Sequence, residues 1–225
     1  MNAGSTEELR TAVADVARMV SRAGLLEAFG HVSARTDDGG FVITSVAPLL
    51  AANPEDVIVV DSSGTAVAGP TDAAPLETPM HAAIYASRTD VGAICRGHPS
   101  SVVAWGVGID DLPLMHGLGA IAGARVPVHD DIELITTVDS GGAVAATLGG
   151  NDSVILRANG ALSVGADPIE AATRLYFLEE RARVVLAASG SPVTDPEIWD
   201  RRREHTAPEL RRAMAWFAAR FEDNR

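Results

Sequence analysis

Turn signals set between short apolar stretches constrain this chain most. Asp37-Asp38-Gly39-Gly40 separates AFGHVSART from GFVITS, so the flanking stretches read as a β-hairpin. DVIVVDSSGTAVAG reads as a second strand pair around Ser63-Gly64, and SVILRANGALSVGAD as a strand, a tight Asn159-Gly160 turn and another strand. Helical spacing fills the gaps between these units. Ser5-Thr6-Glu7-Glu8 has the capping-box pattern, and Leu9, Val13, Val16, Ala17 and Val20 follow with helical periodicity, which predicts a helix over about 6–23. From Glu77, ETPMHAAIYASRTD places Met80, Ala83, Ile84 and Ser87 on one helical face, with Pro79 tolerated in the first turn. VGAICRGH is then a strand and PSSVVAWGVG a short helix ended by glycines. DDIELITTVDSGGAVAATLGG carries one or two helices, Pro168 to Ala188 a long one, and the segment from Asp195 one or two more. Strands joined as hairpins and interleaved with covering helices give an α/β fold whose sheet is mixed or mostly antiparallel. No internal repeat, low-complexity segment or linker divides residues 1–225, so a single domain is expected.

Composition removes several classes of function. Eighteen Lys and Arg against 30 Asp and Glu give a net charge of −12, spread along the chain, which argues against a nucleic-acid ligand. The apolar runs are short and broken by Gly, Pro or charge, so none spans a bilayer as a helix, and MNAGSTEELRTA lacks the regions of a signal peptide. The single cysteine, Cys95, precludes an intrachain disulfide and fits a reducing cytoplasm. GLGAIAG and DSGGAV match no phosphate loop, so nucleotide binding is not expected.

The stretch Cys95-Arg96-Gly97-His98-Pro99 carries the most chemistry. Alternate strand residues face the same way, so Arg96 and His98 emerge together at the strand exit, where two histidines would be half a metal site. Arg96 offers a fixed fork of donors for a carboxylate or an enolate oxygen, or else forms a salt bridge. Glu77 opens the preceding helix, where it either caps the helix or acts as a general acid/base facing that strand end. Cys95 points to the opposite sheet face and reads as packing. Tyr176 and Glu179, at i and i+3, together with Trp199 and Trp216, read first as packing. His116 and His129 lie in loop-like stretches.

Read in order, GHVSART with GFVITS, NPEDVIVVDSSG, ETPMHAAIYASRTDVGAICRGHPSSVVAWG, VPVHDD and VILRANGALSVGADPIEAATRLYFLEERARV resemble the class II aldolase/adducin family over nearly the whole chain. The resemblance implies a three-layer α/β/α fold with a central, mainly antiparallel sheet, and a homotetramer with interfacial active sites. In metal-dependent members three histidines hold zinc or manganese, two in a His-x-His-Pro motif and one before the Gly of an Asn-His-Gly turn, and a glutamate acts as acid/base. Glu77 matches the glutamate and His98 the second histidine, while Arg96 and Asn159 stand at the other two ligand positions. An arginine cannot coordinate a metal and an amide is a poor zinc ligand, so His98 is the one family-type ligand left. The expected cofactor is none, or a weakly bound divalent zinc or manganese unless His129, His116 or His31 rebuilds the site. The phosphate-clamp positions of the family's sugar-phosphate aldolases correspond here to Gly30-His31, Val46-Ala47 and Pro75-Leu76, which have lost almost every phosphate donor. The GHVSAR form resembles instead the branch with decarboxylases of hydroxylated aromatic or pyridine carboxylates.

These readings converge on a lyase for a small, non-phosphorylated hydroxy or oxo carboxylic acid, acting by decarboxylation or aldol-type cleavage. Glu77, Arg96 and His98 are the expected catalytic residues, with Arg96 stabilising the enolate, and His31, Ser33 and Asn159 the expected substrate-binding residues. Two alternatives share the fold: a metal-independent isomerase, dehydratase or cyclase, and a non-catalytic protein like the adducin heads. An open pocket lined by Glu77, Arg96, His98 and Asn159 would favour an enzyme, and a filled one the adducin-like reading.

Overall fold

The computed structural model describes residues 5–192 and 195–222. Its strands are β1 (His31–Arg35), β2 (Phe41–Thr44), β3 (Val57–Val60), β4 (Ala66–Ala68), β5 (Ala93–Gly97), β6 (Val128–His129), β7 (Ser153–Leu156) and β8 (Ala161–Gly165). Its α-helices are α1 (Thr6–Arg22), α2 (Thr78–Ser87), α3 (Ser100–Trp105), α4 (Val138–Leu148), α5 (Pro168–Ala187), α6 (Pro196–Arg203) and α7 (Thr206–Phe221). One eight-stranded sheet runs in the order β4-β3-β2-β1-β5-β8-β7-β6. Every pairing is antiparallel except β6 with β7.

Strand alternation sends apolar side chains to both faces, and each face has its own core. Val32, Val42, Cys95 and Ala161 pack with buried residues of α1 and α5 on one side. Ile43, Ile58, Ile94 and Leu162 pack with Met80, Ile84 and Val144 of α2 and α4 on the other. The result is the expected three-layer α/β/α arrangement around a mainly antiparallel sheet. The capping box at Ser5 and Glu8 starts α1 as its spacing predicts. DDIELITT is not helical, and α4 alone occupies that stretch.

The β7–β8 connection departs from the expected two-residue turn. It spans residues 157–160, with Asn159 N–H donating to the Leu156 carbonyl and Leu156 N–H to that of Gly160. Ala158 and Gly160 take the positive φ angles, 52° and 89°. A Cβ on Gly160 would lie 2.2 Å from the Gly97 carbonyl oxygen and 2.9 Å from the His98 Cα. Glycine therefore lets this loop lie directly against the exit of β5, which brings Asn159 beside Arg96 and His98.

Candidate active site

The central pairing of β1 with β5 builds the floor of the site. Its register sets His31 opposite Arg96 and Ser33 opposite Ile94, and directly paired residues share a sheet face. That face is the one covered by α2. Glu77 is the N-cap of α2, yet its side chain makes no capping hydrogen bond. Its carboxylate turns to the floor instead, with Oε2 3.2 Å from His31 Nε2 and 3.3 Å from Arg96 Nε. Glu77 therefore gives α2 no side-chain cap and instead joins the floor of the site.

Arg96 is fully buried, a costly place for a cation unless a countercharge is near. Glu77 supplies it, and Arg96 Nη1 also donates to the Gly97 carbonyl at 2.6 Å. Burial alone would raise the Glu77 pKa, but the His31 hydrogen bond and the Arg96 charge outweigh it and bring the carboxyl down to about 2. Burial lowers the pKa of His31 and moves that of His81 well below the usual imidazole range. Burial and the Arg96 charge lower His98 to about 4. His98 Nδ1 lies 3.2 Å from the Phe29 carbonyl oxygen. A carbonyl only accepts, so Nδ1 carries the hydrogen and the Nε2 lone pair is available for a substrate proton.

Behind His31 runs a buried polar chain. His31 Nδ1 is 2.7 Å from His81 Nε2, His81 Nδ1 is 2.7 Å from Ser33 Oγ, and Ser33 Oγ is 2.7 Å from the Tyr85 hydroxyl. His81 and Tyr85 are not among the residues the sequence singles out. The signal was present: Glu77, His81 and Tyr85 recur every four residues, so they lie along one face of α2.

Above this floor opens a cavity of about 450 Å³. His31, Glu77, Arg96, His98 and Asn159 form its polar part, and Phe29, Val46, Leu49, Leu76 and Leu134 its apolar walls. The structure therefore brings together every expected site residue except Ser33, which is fully buried in the chain behind His31 and is not among the lining residues. Phosphate would find little to hold it: Val46, Ala47, Pro75 and Leu76 line the cavity where the clamp donors would stand.

The remaining candidates have other tasks. Cys95 is buried in the opposite core, and burial raises its thiol pKa to about 12. The Glu179 carboxylate accepts from the Ser101 and Val102 amides and so caps α3. Tyr176 packs against Trp216, Phe217 and Phe221. His129 pairs through Nδ1 with the Thr147 hydroxyl, and neither it nor His116 lines the cavity.

The donor set does not fit a family-type metal. A permanent cation, Arg96, occupies one ligand position and an amide, Asn159, another. Both ring nitrogens of His31 are already engaged. Among the described residues no group of three or more His, Cys, Asp or Glu is placed to hold a metal ion.

Comparison with known proteins agrees with this architecture. Residues 11–186 match the family described as Class II Aldolase and Adducin N-terminal domain. The 3,4-dihydroxyphthalate decarboxylase of Rhodococcus jostii (strain RHA1) is 30% identical over 222 residues, covering 89% of this chain and 88% of that protein. The enzyme of the same name from Terrabacter sp. (strain DBF63) is 32% identical over 211 residues, covering 87% of each. Among solved structures, an aldolase II superfamily protein from Pseudomonas syringae superposes with a TM-score of 0.82 at 24% identity, covering 97% of this chain and 94% of that one. The chain belongs to the class II aldolase and adducin family.

Proposed function

We propose that this protein is a carbon–carbon lyase, a decarboxylase of a small hydroxylated carboxylic acid, in which Arg96 takes the electrostatic place of the family's metal. The observation that carries this reading is the buried Arg96 guanidinium, paired with Glu77 at the base of an apolar-walled cavity and flanked by a neutral His98. The relatives named as decarboxylases of 3,4-dihydroxyphthalate support the reaction class. An aromatic ring suits the Phe29, Leu49, Leu76 and Leu134 walls, and a carboxylate or oxyanion suits the fork of Arg96.

At neutral pH both Glu77 and His98 begin unprotonated, because their pKa values lie at about 2 and about 4. One of them takes the proton of the substrate hydroxyl. The resulting oxyanion is held by Arg96 and by the Asn159 amide, and its charge flows into the carbon skeleton. The carbon bearing the carboxylate takes up the proton, the C–C bond then breaks, its electron pair flows back through the skeleton to the oxygen held by Arg96, and CO2 departs. Solvent then reprotonates the oxygen. No step requires a metal, so we assign little or no metal dependence. The open cavity speaks for this reading over a non-catalytic head domain.

We further assign the chain as one domain that forms a homotetramer in the cytoplasm with interfacial sites. Phe29, Val46, Leu76 and Leu134 at the cavity wall are 57–75% exposed, an apolar rim that another subunit would cover. No helix among the described residues is long and apolar enough to cross a membrane. The test is incubation with hydroxylated aromatic mono- and dicarboxylates, including 3,4-dihydroxyphthalate, with CO2 and aldehyde measured separately. Stoichiometric CO2 is expected, whereas an aldehyde without CO2 would make the enzyme an aldolase instead.

A further inference from the structure

The chain behind His31 has a direction. Tyr85 is buried, and Ser33 Oγ is the acceptor within reach of its hydroxyl, so Tyr85 donates to Ser33. The Ser33 hydroxyl then donates to His81 Nδ1. His81 keeps its hydrogen on Nε2 and donates to His31 Nδ1. His31 in turn keeps its hydrogen on Nε2, which faces Glu77 Oε2. Each group donates once toward Glu77, and both imidazoles are neutral in the same tautomer. Reversing the chain would turn the Tyr85 hydrogen away from Ser33 and bring a bare His31 nitrogen against a carboxylate oxygen. Both ends therefore select the same direction.

We propose that His81 is a positioning residue, which, oriented by Ser33 and Tyr85, fixes the His31 ring as an Nε2–H donor and so holds Glu77 by Oε2 in a single orientation. With Oε2 facing His31 and Arg96, and the Ile135 backbone a further donor to the carboxylate, Glu77 is held in one orientation at the floor of the cavity. The chain is a brace and not a proton supply: drawing a proton along it would leave a tyrosinate on Tyr85, whose pKa burial raises further. This inference rests on the reading above in which Glu77, of the two bases Glu77 and His98, takes the substrate proton.

The test is ¹⁵N NMR of histidine-labelled full-length protein, wild type and His81→Phe, alongside steady-state CO2 release. In the wild type the His31 and His81 signals are expected to report Nε2–H tautomers with hydrogen-bonded Nδ1 acceptors. In His81→Phe the His31 Nδ1 signal should shift to that of an unpaired or protonated nitrogen. The kcat should fall about 10- to 100-fold with KM changed less, as for a misplaced catalytic group. His81→Gln, which returns an amide donor, should recover part of kcat. A wild-type His31 protonated on Nδ1 would overturn the proposal, as would a His81→Phe enzyme with unchanged His31 signals or unchanged kcat. If His81→Phe does not fold, Ser33→Ala, which removes the donor to His81 and leaves both rings in place, is judged by the same signals. If the wild type releases no CO2 from any acid tested, the decarboxylase reading fails, and the histidine signals still decide the brace.

Discussion

Replacing Arg96 by methionine keeps most of the buried aliphatic volume and removes the charge that Glu77 depends on. Arg96 is 0% exposed and Glu77 is 7% exposed, so only water in the cavity above reaches the pair and it replaces the guanidinium incompletely. Removing one member of a buried pair costs about 3–5 kcal/mol, because the other charge stays desolvated. For a chain of this size each kcal/mol moves the thermal midpoint by about 2–4 °C, so a fall of about 6–20 °C is expected at neutral pH. The pH dependence separates this cause from simple loss of packing. In the wild type the Glu77 pKa is lowered from 4.5 to about 2, so its contribution is present above pH 4.5 and is lost as the pH falls toward 2. Without Arg96 the carboxyl pKa rises, and protonation relieves the variant in acid. The stability gap should therefore narrow between about pH 7 and about pH 4, measured by urea unfolding. The kcat should fall by about 10²–10³, the usual effect of removing a donor to a developing oxyanion. A variant as stable as wild type at neutral pH, or a gap that widens in acid, would refute the argument.

Three other outcomes follow from the same geometry. His98 is neutral in the fold with its pKa lowered from 6.5 to about 4, so the unfolded chain binds the proton first and stability falls as pH drops from 6.5 toward 4. Discounted for its partial exposure this is worth about 1–2 kcal/mol, and urea midpoints at both ends of the window, with His98→Gln flattening the slope, would check it; greater stability in acid would contradict it. Gly160→Ala should destabilise by at least about 1–3 kcal/mol, since a Cβ there meets the Gly97 carbonyl at 2.2 Å and the φ of 89° disfavours side chains; an unchanged urea midpoint would contradict this. Cys95 should resist iodoacetamide in the native protein and react after unfolding, followed by mass spectrometry, because it is buried with a raised pKa; rapid native labelling would show otherwise.

Hairpin signals and helical periodicity are enough to read a mostly antiparallel sheet with covering helices, because both are local and the core obeys them; the three-layer order is implied by the family resemblance. The β7–β8 loop was misread because Asn-Gly favours a two-residue turn, whereas contact with the end of β5 selects a longer loop with Ala158 at positive φ. Glu77, Arg96 and His98 were legible from one helix start and one strand exit. The approach of His31 was legible only in part, since the register that pairs it with Arg96 joins strands far apart in sequence. Ser33 was read as a substrate contact because it alternates with His31 along β1, but α2 covers that position with His81 and Tyr85. Those two side chains were hidden by an apolar helix pattern that drew attention to Met80 and Ile84. Leu134 in the cavity wall comes from a coil segment whose path no periodicity could reveal.

The central claim is that a guanidinium serves where relatives of the metal-dependent type use an ion. It is tested most directly by comparing CO2 release from a hydroxylated aromatic dicarboxylate by protein stripped with chelator, with metal content verified by elemental analysis, and by the same protein reloaded with zinc or manganese. Equal rates, both lowered about 10²–10³-fold by Arg96→Met, are the predicted result. Activity that disappears on stripping and returns with the metal would contradict it.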